Sequence, residues 1–170
     1  MTRISGRLKI AVVGSYNSGK TTLVRLLDAT CTSVDAPDAC GSTTVALDFG
    51  RVCLDGMEIY LFGTPGQERF SATRTVASYG ADGIIVVVDS CTGMTEQDAA
   101  MCEEIEEAGI PMIIALNKID LNPSARKVRY RPELVDLVHP VSATTGEGVL
   151  QALRALMVKI RDAAGAESMD

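Results

Sequence analysis

The run Gly14-Ser-Tyr-Asn-Ser-Gly19-Lys20-Thr21 constrains this chain more than any other stretch. It fits the spacing GxxxxGK[ST], which works where a strand turns directly into a helix. The flanks meet that demand: Leu8 to Val13 reads as a buried strand, and a helical pattern continues to about Asp28. Glycines let the backbone wrap closely round phosphate oxygens, so that its N–H groups form an anion nest at a helix N-terminus. Lys20 would set a cation against the β- and γ-phosphates, and the Thr21 hydroxyl suits Mg²⁺, which prefers oxygen ligands. Gly14, Asn17, Ser18, Gly19, Lys20, Thr21 and Thr22 are the expected phosphate-contacting residues. The loop points to a nucleoside triphosphate and leaves the base open.

Strand-like and helix-like stretches alternate along the rest of the chain. Val45 to Leu54 and Met57 to Phe62 are β-like, and Asp55-Gly56 between them is a hairpin signal. Gly83 to Asp89 and Pro111 to Leu116 are apolar runs of the kind buried on both faces of a sheet. Thr95 to Ala108 reads as a helix, with Thr95 as N-cap and Gly109 as stop. A short strand at His139 to Ala143 and a closing helix from about Glu147 to Arg161 complete the pattern, and residues 30–43 read as a long loop. This order implies an α/β fold with a mostly parallel sheet and one antiparallel pair at the hairpin. Ligands in such sheets gather at the carboxyl ends of the strands, where the loops after Val13, Phe62 and Leu116 and around Ser142 all begin.

One of those loops reads the base. In Asn117-Lys118-Ile119-Asp120, the ionised Asp120 is acceptor-only and suits the two donors on guanine, N1–H and the exocyclic amine. Adenine lacks that donor pair. An NKxD tetrapeptide alone is weak, but at a strand end downstream of a phosphate loop it is specific. Ser142-Ala143, after another short strand, resembles the backbone loop that closes over guanine O6.

Gly14–Thr21, Asn117–Asp120 and Ser142-Ala143 together resemble the motif set of the Ras-like small GTPases, over about Leu8 to Ile160. The resemblance implies a Ras-like three-layer α/β fold: a six-stranded, mostly parallel sheet with one antiparallel edge strand, flanked by helices on both faces. It also implies bound GTP or GDP with Mg²⁺. Thr44-Val-Ala-Leu-Asp-Phe49 is similar to the family's effector loop, in which a Thr reaches the metal and the γ-phosphate; Thr44 is the expected residue and Thr43 the competing register. Thr21 and Thr44 are then the expected metal ligands. Gly63-Thr64-Pro65-Gly66-Gln67-Glu68 resembles the second switch, DxxGQE. Gly66 would offer its N–H to the γ-phosphate and Gln67 would orient the attacking water, which makes Gln67 and Lys20 the expected catalytic pair.

The chain departs from the family at Gly63, where the customary Asp supports Mg²⁺, often through water. A non-Asp residue before Pro-Gly-Gln is similar to the divergent bacterial and archaeal branch. Asp89, at the end of another apolar strand, is a candidate substitute, with an ordinary strand-end carboxylate as the favoured reading. No arginine finger is assigned: Arg51, Arg69 and Arg74 lie near the switch motifs and read as surface residues. The expected function is a small GTPase switch that hydrolyses GTP slowly, with a protein effector and an activating or exchange partner. The alternative is a GTP-dependent binding or scaffold module with negligible hydrolysis.

Composition narrows the setting. The 170 residues fit one GTP-binding domain, 1–170, with 162–170 expected as a flexible tail. A net charge of −6 argues against a general nucleic-acid binder, which needs a basic face. Cys31, Cys40, Cys53, Cys91 and Cys102 form no CxxC pair and are expected as small buried or half-buried thiols of a reducing cytosol. Thr2 excludes myristoylation, no prenylation box closes the sequence, and Ile84–Val88 is too short to span a bilayer. A cytoplasmic, unanchored protein is expected. Glu96, Asp98, Glu103, Glu104, Glu106 and Glu107 on one helix, and the basic Arg126, Lys127, Arg129 and Arg131, read as solvated faces. His139 reads as structural.

Overall fold

Apolar residues on both sides of a strand demand cover on both faces of its sheet, and the runs Gly83–Asp89 and Met112–Asn117 carry that signature. In the computed structural model, which describes residues 6–29, 48–64, 80–127 and 132–167, β1 (Arg7–Val13), β3 (Met57–Gly63), β4 (Gly83–Asp89) and β5 (Met112–Asn117) lie side by side in parallel. The strand order is β2-β3-β1-β4-β5-β6, with β2 (Asp48–Leu54) antiparallel to β3 at one edge and β6 (Val138–Pro140) parallel at the other. This is the six-stranded sheet that the motif resemblance implies.

The two faces of the sheet are covered differently. Ile10 and Val12 of β1 join Leu23, Val24 and Leu27 of α1 (Lys20–Ala29) and Leu153, Leu156 and Ile160 of α3 (Val149–Glu167). Ala11 and Val13 point the other way, where Cys102 and Ile105 of α2 (Glu96–Glu107) pack on Val86, Val88 and Leu116. The period-2 alternation of side chains thus sorts β1 between two cores. Gly83 permits the close approach of α3, since a Cβ there would lie 2.7 Å from Ile160 Cδ1.

Local chemistry sets the element ends. Asp55 and Gly56 both have positive φ, 50° and 79°, the pair that a type I′ hairpin turn requires. Thr95 caps α2: its hydroxyl accepts from Asp98 N–H while Asp98 accepts from Thr95 N–H, a reciprocal box. Gly109, at φ 70°, ends that helix in the left-handed region.

Some expectations need correction. The closing helix starts at Val149 and runs to Glu167, so residues 162–167 are helical and not tail. The short late strand is Val138–Pro140, and Ser142-Ala143 follows it in a loop. Two 3₁₀ helices, Pro123–Lys127 and Pro132–Leu137, have no counterpart in the sequence reading; each opens on a proline, whose fixed φ suits a first helical position. Asp98 belongs to no solvated face, being 2% exposed. Cys53 and Cys91 are exposed and only Cys102 is buried among the described cysteines: Cys53 points outward on edge strand β2 between the buried Val52 and Leu54. The loop 30–43, Thr43, Thr44, Pro65, Gly66, Gln67, Arg69, Arg74, Cys31, Cys40 and the side chains of the basic stretch lie outside the described residues. No helix among the described residues is long and apolar enough to cross a membrane.

Candidate nucleotide site

The carboxyl ends of β1, β3, β4 and β5 share one rim of the sheet, which brings distant motifs together. After Val13 the chain turns through Gly14 and enters α1 at Lys20. Gly14 adopts φ 146°, and a Cβ there would meet Val87 O at 2.3 Å, so only glycine lets this turn press on β4. Lys20 Nζ folds back over the loop and donates to Gly14 O and Ser15 O, both at 2.8 Å. Burial lowers the pKa of this ammonium, while the charges of Asp98 and Asp48 oppose that shift.

Asn117 joins the phosphate loop to the base-reading loops. Its Nδ2 donates to Ser18 O at 3.0 Å, and its Oδ1 accepts from Ala143 N–H at 2.9 Å. The amide is 2% exposed, so both bonds form away from water. Gly19, at φ 103°, leaves it room: a Cβ would lie 2.2 Å from Asn117 Nδ2. Lys118, itself at φ 67°, makes a second tie, donating to Asn17 O at 2.8 Å and to Asp89 Oδ2 at 2.6 Å. Ser142 Oγ donates to Asp120 Oδ1 at 2.8 Å and accepts from Thr145 N–H. This fixes one carboxylate oxygen of an otherwise exposed Asp120. Thr22, also exposed, opens α1 beside Thr21.

Asp89 is engaged with Lys118 and Cys91. Burial pushes its carboxyl up, but the Lys118 ammonium and Cys91 N–H outweigh that and hold it below the usual carboxylate range. The ordinary strand-end reading of Asp89 is the one this geometry favours. Arg51 pairs with Glu58 on the neighbouring strand.

The sequence reading missed two acidic residues at this rim. Asp98, on α2, accepts from Ser15 Oγ at 2.7 Å and so anchors the first turn of the phosphate loop. Asp48, at the start of β2, accepts from Thr21 Oγ1 at 2.5 Å. A signal for Asp48 was present: equal steps outward from the Asp55-Gly56 turn set it opposite Gly63.

The parallel sheet with its glycine loop feeding a helix places this molecule among the P-loop nucleotide-binding folds, and comparison with known proteins narrows that class. The family model described as 50S ribosome-binding GTPase matches residues 9–118. An uncharacterised protein of Methanocaldococcus jannaschii is 36% identical over 67% of this chain and 71% of its own length. Translation initiation factor IF-2 of a Thermotoga species is 30% identical over 88% of this chain, which spans only 23% of that factor. Among solved structures, the G domain of the Thermotoga maritima FeoB iron transporter is 30% identical with a TM-score of 0.63, over 93% of this chain and 99% of that domain. The chain belongs to the 50S ribosome-binding GTPase family. It is a GTP-binding P-loop GTPase domain of the bacterial and archaeal branch.

Proposed function

We propose that this chain is a nucleotide-controlled switch that binds GTP or GDP with Mg²⁺ and hydrolyses GTP slowly without a partner. The observation that carries the reading is Asn117, which bonds the phosphate loop at Ser18 and the closing loop at Ala143. A single nucleotide lying on that rim meets Gly14, Asn17, Ser18, Gly19, Lys20, Thr21 and Thr22 with its phosphates, and Asn117, Lys118, Asp120, Ser142 and Ala143 with its base. Thr44 and Gly66 are the proposed γ-phosphate sensors. Mg²⁺ fits the hard oxygen donors gathered at Thr21 and Asp48. When bound, it neutralises charge on the β- and γ-phosphate oxygens.

The chain's own part in hydrolysis is positioning and charge. Lys20 meets the charge that develops between the β- and γ-phosphates, and Gln67 orients the water. Arg51 is taken up by Glu58, and the lack of an assigned arginine finger typically costs about 10³–10⁵ in rate. Hence the reading includes an activating partner and an effector, placed in the cytoplasm, with no nucleic acid among the partners in view of the charge of −6.

A second reading, a GTP-dependent scaffold with negligible hydrolysis, draws support from Gly63 standing where the family carries Asp. Single-turnover hydrolysis of GTP with and without Mg²⁺ separates the two. The switch reading expects slow, Mg²⁺-dependent release of phosphate that Gln67→Ala lowers by at least an order of magnitude, roughly 1.4 kcal/mol in barrier. Intact GTP after many hours with Mg²⁺ would favour the scaffold.

A further inference from the structure

We propose that Asp48 takes over, from the neighbouring strand, the magnesium-supporting role that Gly63 has lost. The inference rests on the reading of Thr21 as a metal ligand and adds a residue to that site.

β2 and β3 pair antiparallel, and Asp48 is the Cα partner of Gly63. Directly opposed residues on such a pair project on the same side of the sheet, with Cβ atoms about 4.5–5.5 Å apart. Here the approach is closer: a Cβ built on Gly63 would lie 3.3 Å from Asp48 Cβ and 3.6 Å from Asp48 Oδ2. The Asp48 carboxylate therefore reaches the space where a side chain at position 63 would begin. Carboxylates at both positions would repel each other. One at either place leaves the site with a single negative charge.

What Asp48 touches gives that charge its role. Its Oδ2 accepts the Thr21 hydroxyl proton. A hydroxyl has one proton to give and two lone pairs to receive. With the proton held by Asp48, the lone pairs of Thr21 remain for a cation. Asp48 also acts electrostatically on Lys20, the ammonium of the same loop. Asp98 acts on Lys20 as well but is held by Ser15 and Thr95, while Asp89 is held by Lys118 and Cys91 and Asp120 by Ser142. Asp48 is thus a positioning residue for Thr21 and a charge partner for the ion. No group of three or more His, Cys, Asp or Glu able to hold a metal occurs among the described residues. The ion would instead depend on hydroxyls, this one carboxylate and the nucleotide's own phosphates.

The test reads magnesium directly. Release of a fluorescent GDP analogue is followed while Mg²⁺ is titrated, and the half-point for slowing release is recorded. Loss of a partner of a metal ligand typically weakens metal affinity about 10–100-fold, so Asp48→Asn is expected to raise the half-point by that factor. Adding Gly63→Asp to Asp48→Asn should bring it back towards the parental value. Asp55→Asn, at the hairpin between β2 and β3 and paired with Arg154, should leave it unchanged. An unchanged half-point in Asp48→Asn overturns the proposal, and so does a shift that Gly63→Asp fails to rescue. Thr21→Ala is run in parallel. If it abolishes the Mg²⁺ effect while Asp48→Asn does not move it, only the role of Asp48 falls. If neither variant changes the titration, the metal site itself is misplaced. Should Asp48→Asn not fold, the exchange Asp48→Gly with Gly63→Asp carries the test: a near-parental half-point supports the proposal, and a tenfold weaker one defeats it.

Discussion

Single residues at this rim carry more than one duty, and their substitution tests each duty separately. Gly19 shapes both the glycine loop and the loop after β5, because any Cβ there meets an Asn117 amide already pinned by two hydrogen bonds. Its φ of 103° adds backbone strain for any other residue, about 1–3 kcal/mol. Gly19→Ala is therefore expected to weaken GDP binding by at least tenfold (about 1.4 kcal/mol) while the fold persists, as calorimetry and circular dichroism together would show. The cysteines give an independent check on burial. The Cys102 thiol is pushed up to about 11 by burial first and then by Asp98, Glu106 and Glu103, whereas Cys53 and Cys91 are exposed. Brief alkylation of the native protein at neutral pH, mapped by mass spectrometry, should modify Cys53 and Cys91 and spare Cys102 until denaturant is added. Rapid native labelling of Cys102 would contradict the packing of α2 on the sheet.

At the level of elements, much was legible because a few residues dictate local geometry. The glycine loop required a strand before it and a helix after it, and Asp55-Gly56 required a tight hairpin. Asn117 was legible as a base-loop residue, but not as the bond between Ser18 and Ala143, because that contact depends on how far apart the strands end. The same limit hid Asp98, which resembles its exposed neighbours in sequence. What distinguishes it is tertiary: α2 turns it towards Ser15. The 3₁₀ helices were illegible because helices of five and six residues are too short to show a periodicity. The N-cap of α2 can be tested on its own. Thr95→Ala removes a capping hydroxyl bonded to Asp98, and should cost about 0.5–2 kcal/mol in urea unfolding. A change of only a few tenths would mean that Asp98 holds its place through Ser15 alone.

Across the whole molecule, pH links the edge of the sheet to stability. His139 on β6 is half-buried, and burial, assisted by the Lys159 charge, lowers its pKa from the ordinary 6.5. The folded state thus prefers neutral imidazole, and the unfolded chain binds the proton more readily. Stability from this group is complete above about pH 6.5 and is lost as pH falls from there through the folded value. His139→Gln should flatten the pH dependence of urea midpoints in that window. The lowered Asp89 carboxyl acts in the same direction only at lower pH, below its usual value of 3.8, so the two windows separate. An unchanged slope between pH 6.5 and 5 in the variant would show that His139 is already solvated.

On the proposed reading, one guanine nucleotide spans the rim and contacts both Lys20 on α1 and Asp120 beyond β5. Calorimetric titration of GDP, ADP and xanthosine diphosphate into the parent and into Asp120→Asn decides whether it does. Strong preference for GDP is expected in the parent and a turn towards the xanthine nucleotide in the variant, because an amide presents a donor to the added carbonyl. Equal affinity of the parent for GDP and ADP would contradict it.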